Sequence, residues 1–259
     1  MTLAEARLTQ AARLAATTGS TLSEAEAAEQ LARLYRDLGR NQDAVRSLTL
    51  AHRLYTRMAA APGLSSVKRS LGSLEDTYLS VVREWGQSIE SSDSYTYLHC
   101  ERVATYGAIV AEALHVDDQE ARAIQFGAYL HDLGKVKIPH EILNKPGKLT
   151  DAEFDVVKQH PMWGVELLAD VDFPWDIIPI IRSHHERLDG GGYPDRLAGD
   201  AIPLSAQVIC VVDVWDALTT RRSYRGAFSV DRALALMEES RHWWRPEVFQ
   251  AFLKNVPGT

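Results

Sequence analysis

Long apolar runs are missing from this 259-residue chain. None approaches the roughly 18 consecutive apolar residues that a membrane-spanning helix needs, so no membrane span is expected. Cysteine is nearly absent. Cys100 and Cys210 lie far apart in helix-like stretches and read as two buried free thiols, which suits a reducing compartment and a cytoplasmic location. The first 20 residues contain Arg7 and Arg13 but lack the apolar centre of a secretory signal, and they read as an Ala-rich helix. Positive charge is in deficit, with 28 Lys and Arg against 35 Asp and Glu. The deficit is uneven. Residues 1–90 hold 11 basic against 10 acidic residues and residues 91–259 hold 17 against 25, which suggests two units. An acidic domain is a poor partner for bulk nucleic acid, where phosphate neutralisation dominates binding. Metal cations suit it better, provided the carboxylates converge.

Strand-like alternation is also scarce. Apolar residues recur at helical spacing over 28–56, 97–114, 119–131, 151–159, 175–188 and 204–218. Two irregular stretches interrupt them, one from Gly134 to Leu149 and one from Asp189 to Pro203, both rich in Gly or Pro. Thr150-Asp151-Ala152-Glu153 closes the first as a capping box. The expected fold is all-α: a helical bundle with long glycine- and proline-rich loops, preceded by a small helical unit.

That small unit has its own pattern. Leu31, Ala32, Tyr35, Gly39, Ala44, Leu48 and Ala51 fall at the spacing of one tetratricopeptide repeat, and they fit a generic helical hairpin equally. Small residues at 32, 44 and 51 let two antiparallel helices approach. One repeat cannot bury its own apolar face, so neighbouring helices over 3–16 and 69–90 are expected to complete it. The domain reading is therefore a tetratricopeptide-like interaction or self-association region over 1–70, a connecting helix over 71–90, and the chemistry over 91–259.

The chemistry is carried by histidines and aspartates in apolar surroundings. His99 is inward-facing beside Val103, Gly107 and Val110, and His131-Asp132 follows Ile124, Gly127 and Ala128 in the same way. His160 stands at the end of the 151–159 stretch, and His184-His185 at the end of another apolar helix. Asp213 is embedded in Val208-Ile209-Cys210-Val211-Val212-Asp213-Val214-Trp215, where an unpaired carboxylate would be costly to bury and needs a cation. Lys or Arg could supply it, but five histidines with two aspartates favour a metal. Mixed imidazole and carboxylate ligands suit iron or manganese, with zinc as an alternative, and not calcium. So many ligands exceed the needs of one ion, which points to two metals bridged by a carboxylate. Lys135, three positions past Asp132, and Arg221, Arg222 and Arg225 beyond the Asp213 helix are cations suited to phosphate. Together these point to phosphate-ester hydrolysis by a metal-activated hydroxide in line with the leaving oxygen.

The motifs resemble a known family. His131-Asp132-Leu133-Gly134-Lys135 is similar to the HDxGK core of the HD superfamily of metal phosphohydrolases. The segment from His184 to Pro194 is similar to the HHExxDGxGYP segment of the HD-GYP family. Ile138-Pro139, 143–150 and Asp213 to Thr219 continue the resemblance, which covers roughly 90–255 in order. It implies hydrolysis of cyclic di-GMP to the linear dinucleotide or to GMP. It implies His99, His131, Asp132 and Asp213 around one metal, and Asp132, His160, His184 and His185 around the other. Asp132, Lys135 and Asp216 are expected at the catalytic site. Lys135, Arg222 and Arg225 resemble the phosphate-contacting cations, and Gly192, Tyr193 and Pro194 the loop that shapes the substrate pocket. Glu186, Asp189 and Asp216 are read as groups that orient histidines or cations.

Three departures stand out. Tyr95 occupies the position where some members carry a third-metal glutamate, so two metals are expected. Ser223 replaces the proline of the family's RPYR, and Trp243-Trp244-Arg245-Pro246 replaces a Gly-x-x-Phe-Asp-Pro type of sequence. Two other readings fit these residues: a module that binds the dinucleotide or a protein without hydrolysis, and a hydrolase of another cyclic dinucleotide.

Overall fold

A computed structural model describes residues 2–92, 98–171, 173–221 and 226–257. Tyr95, Arg222, Ser223 and Arg225 lie outside the described residues. The described residues form helices and no strands, and none of the helices is long and apolar enough to cross a membrane. The chain forms two compact units. One comprises the chain up to Ser80 with Val171–Pro174, and the other comprises Val81–Asp170 with the chain from Trp175 onward.

The first unit is built on α1 (Leu3–Thr18), α2 (Thr21–Asp37), α3 (Asn41–Arg57) and the first part of α4 (Ala61–Ser92). Ala25, Ala28 and Ala32 of α2 pack with Val45, Leu48 and Ala51 of α3, and Val67 and Leu74 of α4 close the same core. A carboxylate buried among these helices is tolerated because its oxygens are satisfied. Glu29 accepts from Arg33 at 2.9 Å, Ser66 at 2.6 Å and Tyr55 at 3.2 Å, which ties α2, α3 and α4 together.

The second unit continues with α5 (His99–Ala113), α6 (Asp118–Leu130), a 3-10 turn (Leu133–Lys137) and three short helices. These are α7 (His140–Leu143), α8 (Asp151–Val157) and α9 (His160–Leu167). There follow α10 (Ile178–Ser183), the glycine-rich loop, α11 (Leu204–Thr219), α12 (Val230–Glu239) and α13 (Pro246–Asn255). Every residue of α11 from Ser205 to Val212 is buried, as expected of a helix apolar on all sides. It packs against α5, α6, α10, α12 and α13, so whatever it carries is held from several sides. Cys100 and Cys210 are both buried free thiols.

Two boundaries differ from the periodicity reading. The helix expected over 151–159 stops at Val157, and His160 opens α9 instead of closing the preceding helix. Pro161 is the reason: it has no amide hydrogen to continue a ladder but is at home in a first turn. The stretch expected over 175–188 is helical only over 178–183, with Pro179 in its first turn. The Thr150–Glu153 capping box is present.

Candidate metal centre

The five histidines and Asp132 singled out in the sequence converge because helix ends deliver them. His99 is the first residue of α5 and His160 the first of α9. His131-Asp132 follows the last turn of α6, and His184-His185 follows the last turn of α10. Side-chain atoms of Asp132, His160, His184 and His185 lie within 4.8 Å of one another, and so do those of His99, His131 and Asp132. Asp132 belongs to both groups. Asp213, from the middle of α11, lies 3.4 Å from His99 Nε2.

Backbone geometry at the helix ends sets which nitrogen faces inward. Nδ1 of His131 donates to Ala128 O at 2.7 Å, Nδ1 of His160 to Val157 O at 2.7 Å, and Nδ1 of His184 to Ile181 O at 2.9 Å. Each ring spends its one proton on a carbonyl left over by the helix or turn before it, so Nε2 carries a bare lone pair. Burial opposes a charge on His131, but the Asp132 carboxylate beside it raises that pKa, whereas burial keeps the other rings neutral. It lowers the pKa of His160 to about 4 and of His185 to about 3, and it takes His184 well below the usual value. His131 Nε2 has no hydrogen-bond partner among the described residues. His160 Nε2 faces His184 Nε2 at 3.2 Å, with no proton on either nitrogen. Two lone pairs so placed repel each other unless a cation lies between them. Nitrogens at ~2.1 Å from a shared ion stand about 3 Å apart. The donor set and its orientation therefore fit divalent metal.

Asp132 is buried beneath Lys135, whose Nζ lies 2.6 Å from Oδ2. Burial is the largest single influence and opposes its ionisation, but the Lys135 ammonium together with His131 and His160 holds the carboxyl well below its usual range. Asp213 is likewise held low, burial being overcome by His99, His131 and His185 together. The tight turn that brings Asp132 and Lys135 to His160 depends on Gly134. A Cβ there would meet His160 O at 1.9 Å.

Asp216 lies one helical turn after Asp213 and behind His99. It accepts from His99 Nδ1 at 2.7 Å and from Arg102 Nε at 2.5 Å. It fixes that ring with Nε2 toward Asp213, and so acts through His99. Glu186 is fully buried, and its side-chain oxygens accept from the amides of Asp195 at 2.7 Å and Leu197 at 3.0 Å, which clamps the loop after Pro194. Asp189 accepts from Arg187 at 2.6 Å and from the Gly191 amide at 2.8 Å, and so orients a cation.

The glycine-rich loop folds back on the histidines. Gly192 admits this close approach, since a Cβ there would lie 2.5 Å from His185 O, and Tyr193 N donates to that oxygen at 3.2 Å. The Tyr193 ring stands 4.7 Å from the His185 ring, and burial pushes its hydroxyl pKa up. Gly192, Tyr193 and His185 line a cavity of about 520 Å³ together with Phe154, Arg187, Arg196 and Trp243. Neither Lys135 nor Pro194 is among its described lining residues. Arg102, Arg187 and Arg196 were not singled out in the sequence, and Trp243 only as a departure from the family pattern. Arg102 has a signal in its i+3 spacing from His99, whereas the others become neighbours only through the loop.

Fold and site define an all-α protein whose helix ends gather a histidine–aspartate centre able to hold metal. The chain belongs to the HD domain family, whose model matches residues 6–248. It is 41% identical over 174 residues to the cyclic di-GMP phosphodiesterase response regulator RpfG of Xanthomonas campestris pv. campestris, covering 66% of this chain and 46% of that protein. It is 38% identical over 183 residues to the 3'3'-cGAMP-specific phosphodiesterase 3 of Vibrio cholerae, covering 70% of this chain and 40% of that protein. The chain thus spans less than half the length of these curated relatives. A solved HDG"Y"P protein from Bdellovibrio bacteriovorus shares the fold at a TM-score of 0.51 and 19% identity, over 90% of this chain and 70% of that one.

Proposed function

We propose that this chain is a metal-dependent phosphodiesterase that hydrolyses cyclic di-GMP, to the linear dinucleotide or onward to GMP. The observation that carries the reading is the paired donor groups sharing Asp132, with unprotonated Nε2 atoms turned inward. Both curated relatives described above are named as cyclic-dinucleotide phosphodiesterases, which supports the substrate class.

His99, His131, Asp132 and Asp213 would hold one divalent ion, and Asp132, His160, His184 and His185 a second, as iron or manganese or, alternatively, zinc. Bound there, the ions supply Lewis acidity toward a phosphoryl oxygen and lower the pKa of water toward neutrality. The chain's own part is positional. The helix-end carbonyls keep each Nε2 bare, and Asp216 with Arg102 keeps His99 turned to Asp213. Lys135, with 20% of its side chain exposed, is the cation available to a phosphate oxygen arriving from solvent. Tyr193 bounds the space beside His185. Arg222 and Arg225, outside the described residues, are assigned to phosphate contact through their place in the motif alone.

We assign residues 1–70 to protein contact or self-association, 71–90 to a connecting helix, and 91–259 to hydrolysis within a cytoplasm. If a chain starting at Gly72 kept the same oligomeric state and the same partners, the first assignment would fail.

The decisive experiment is anaerobic purification with metal analysis, followed by cyclic di-GMP turnover on the same sample. About two ions per chain with linear product is the expected result. Two ions without turnover would indicate a receptor or another substrate, and no metal would overturn the centre itself.

A further inference from the structure

Arg196 sits at φ +55, a left-handed backbone conformation that glycine adopts without strain and side-chain-bearing residues rarely do. Buried Glu186 holds it there, by accepting from the amides on either side, Asp195 and Leu197. The guanidinium so presented is exposed, and no described residue pairs with it. It lines the cavity of about 520 Å³ that begins at His185. That volume lies within the range of small-ligand pockets, roughly 300–1,000 Å³. Another part of the lining is flat and aromatic. The Arg187 guanidinium lies 4.0 Å over the Trp243 ring, and Asp189 ties it in place. Phe154 and Tyr193 contribute further rings, 6.4 Å apart. Strained backbone persists where its surroundings over-determine it, and such residues gather at ligand clamps.

We infer that this cavity is a guanine subsite of the cyclic-dinucleotide site, with Arg196 reading the base edge and the Trp243–Arg187 wall stacking on its face. The inference rests on the phosphodiesterase reading of the adjoining metal centre. Guanine presents O6 and N7 side by side as two acceptors, which match the two parallel N–H groups of an arginine fork. Adenine places an amino donor where guanine has O6, so the same fork meets a donor and loses one of its bonds. Ring stacking adds affinity for either base without distinguishing them. Arg196 is thus a specificity-determining residue, and the chain prefers cyclic dinucleotides that can offer guanine to this cavity.

The test compares GMP and AMP binding to the full, metal-loaded chain by calorimetry. The expected result is GMP bound at least about tenfold more tightly than AMP, within the range of one bidentate arginine contact. R196G and R196K should each bring that ratio to within about twofold, because lysine keeps the charge but not the fork. W243A should weaken both nucleotides alike. Equal binding of GMP and AMP to the unmodified chain, or a preference that survives in both Arg196 variants, overturns the proposal. R196G is expected to melt no lower than the unmodified chain, since glycine suits the left-handed position, and R196K carries the test whatever that variant does. Turnover of bis(p-nitrophenyl) phosphate, which has no base, tests the phosphodiesterase reading separately. Its absence sinks that reading, while the GMP-to-AMP ratio still decides the subsite.

Discussion

His160 Nε2 and His184 Nε2 face each other at 3.2 Å while each ring donates its only proton to a backbone carbonyl. Two helix ends, at α9 and α10, are thus built to leave unsatisfied lone pairs in a buried place. Folding alone gains nothing from that arrangement, since a buried acceptor without a partner is costly.

Asp132→Ala removes the one carboxylate common to both donor groups. Metal content should fall below one ion per chain, and turnover should drop by more than about a hundredfold, beyond what loss of a mere orienting neighbour brings. Circular dichroism should still report a helical protein. Metal analysis and turnover on one sample check this, and full activity in the variant would sink the shared-carboxylate reading.

Asp216→Asn keeps the shape behind His99 but weakens the acceptor that fixes its tautomer. Metal affinity should fall about 10- to 100-fold with the helices intact, as for other groups that orient metal-binding histidines. A competition titration with a chromophoric chelator measures it. Unchanged affinity would mean that His99 needs no orienting partner.

Gly134→Ala drives a Cβ against His160 O, and the 3-10 turn or α9 must move. Overpacking of this kind costs about 1–3 kcal/mol. Because the atom struck belongs to a residue of the donor group, turnover should fall further than the stability loss explains. Urea denaturation beside a turnover assay separates the two effects.

Glu153 joins the capping box of α8 to Lys145. The Lys145 hydrogen bond, followed by that of the Thr150 amide, lowers its pKa from 4.5 to about 2. A depressed carboxylate pKa contributes stability that is fully present above about pH 4.5 and lost as the pH falls through about 2. The stability difference between the unmodified chain and E153Q should therefore be constant near neutrality and vanish toward pH 2. Denaturation midpoints measured at several pH values check the sign, and a difference that grows on acidification would contradict it.

Burial pushes the Cys210 thiol up to about 12, and Trp244 Nε1 points at its sulfur from 3.3 Å. With Cys100 also buried, neither thiol should react with an aromatic disulfide reagent at pH 8 until denaturant is added. Two equivalents released at once from the native chain would show that both α5 and α11 open to the reagent.

Much of the site was legible because the residues defy their surroundings. Asp213 within an apolar helix and His131-Asp132 after another are costly unless something compensates them, and period 3.6 alone shows that they face inward. The all-α class follows from the same spacing, and the capping box at Thr150 from local hydrogen bonding. These are properties of single segments, which a one-dimensional pattern carries in full. The tertiary structure decided what depends on distant segments meeting. Pro161 makes His160 begin a helix, and only the packing of the Gly134 turn on α9 sets that histidine beside Asp132. Glu186 clamps the amides of 195 and 197, where the family resemblance had suggested a group that orients histidines or cations. Arg187, Arg196 and Trp243 form one cavity because the glycine-rich loop folds back over His185, and no periodicity in the chain encodes that return.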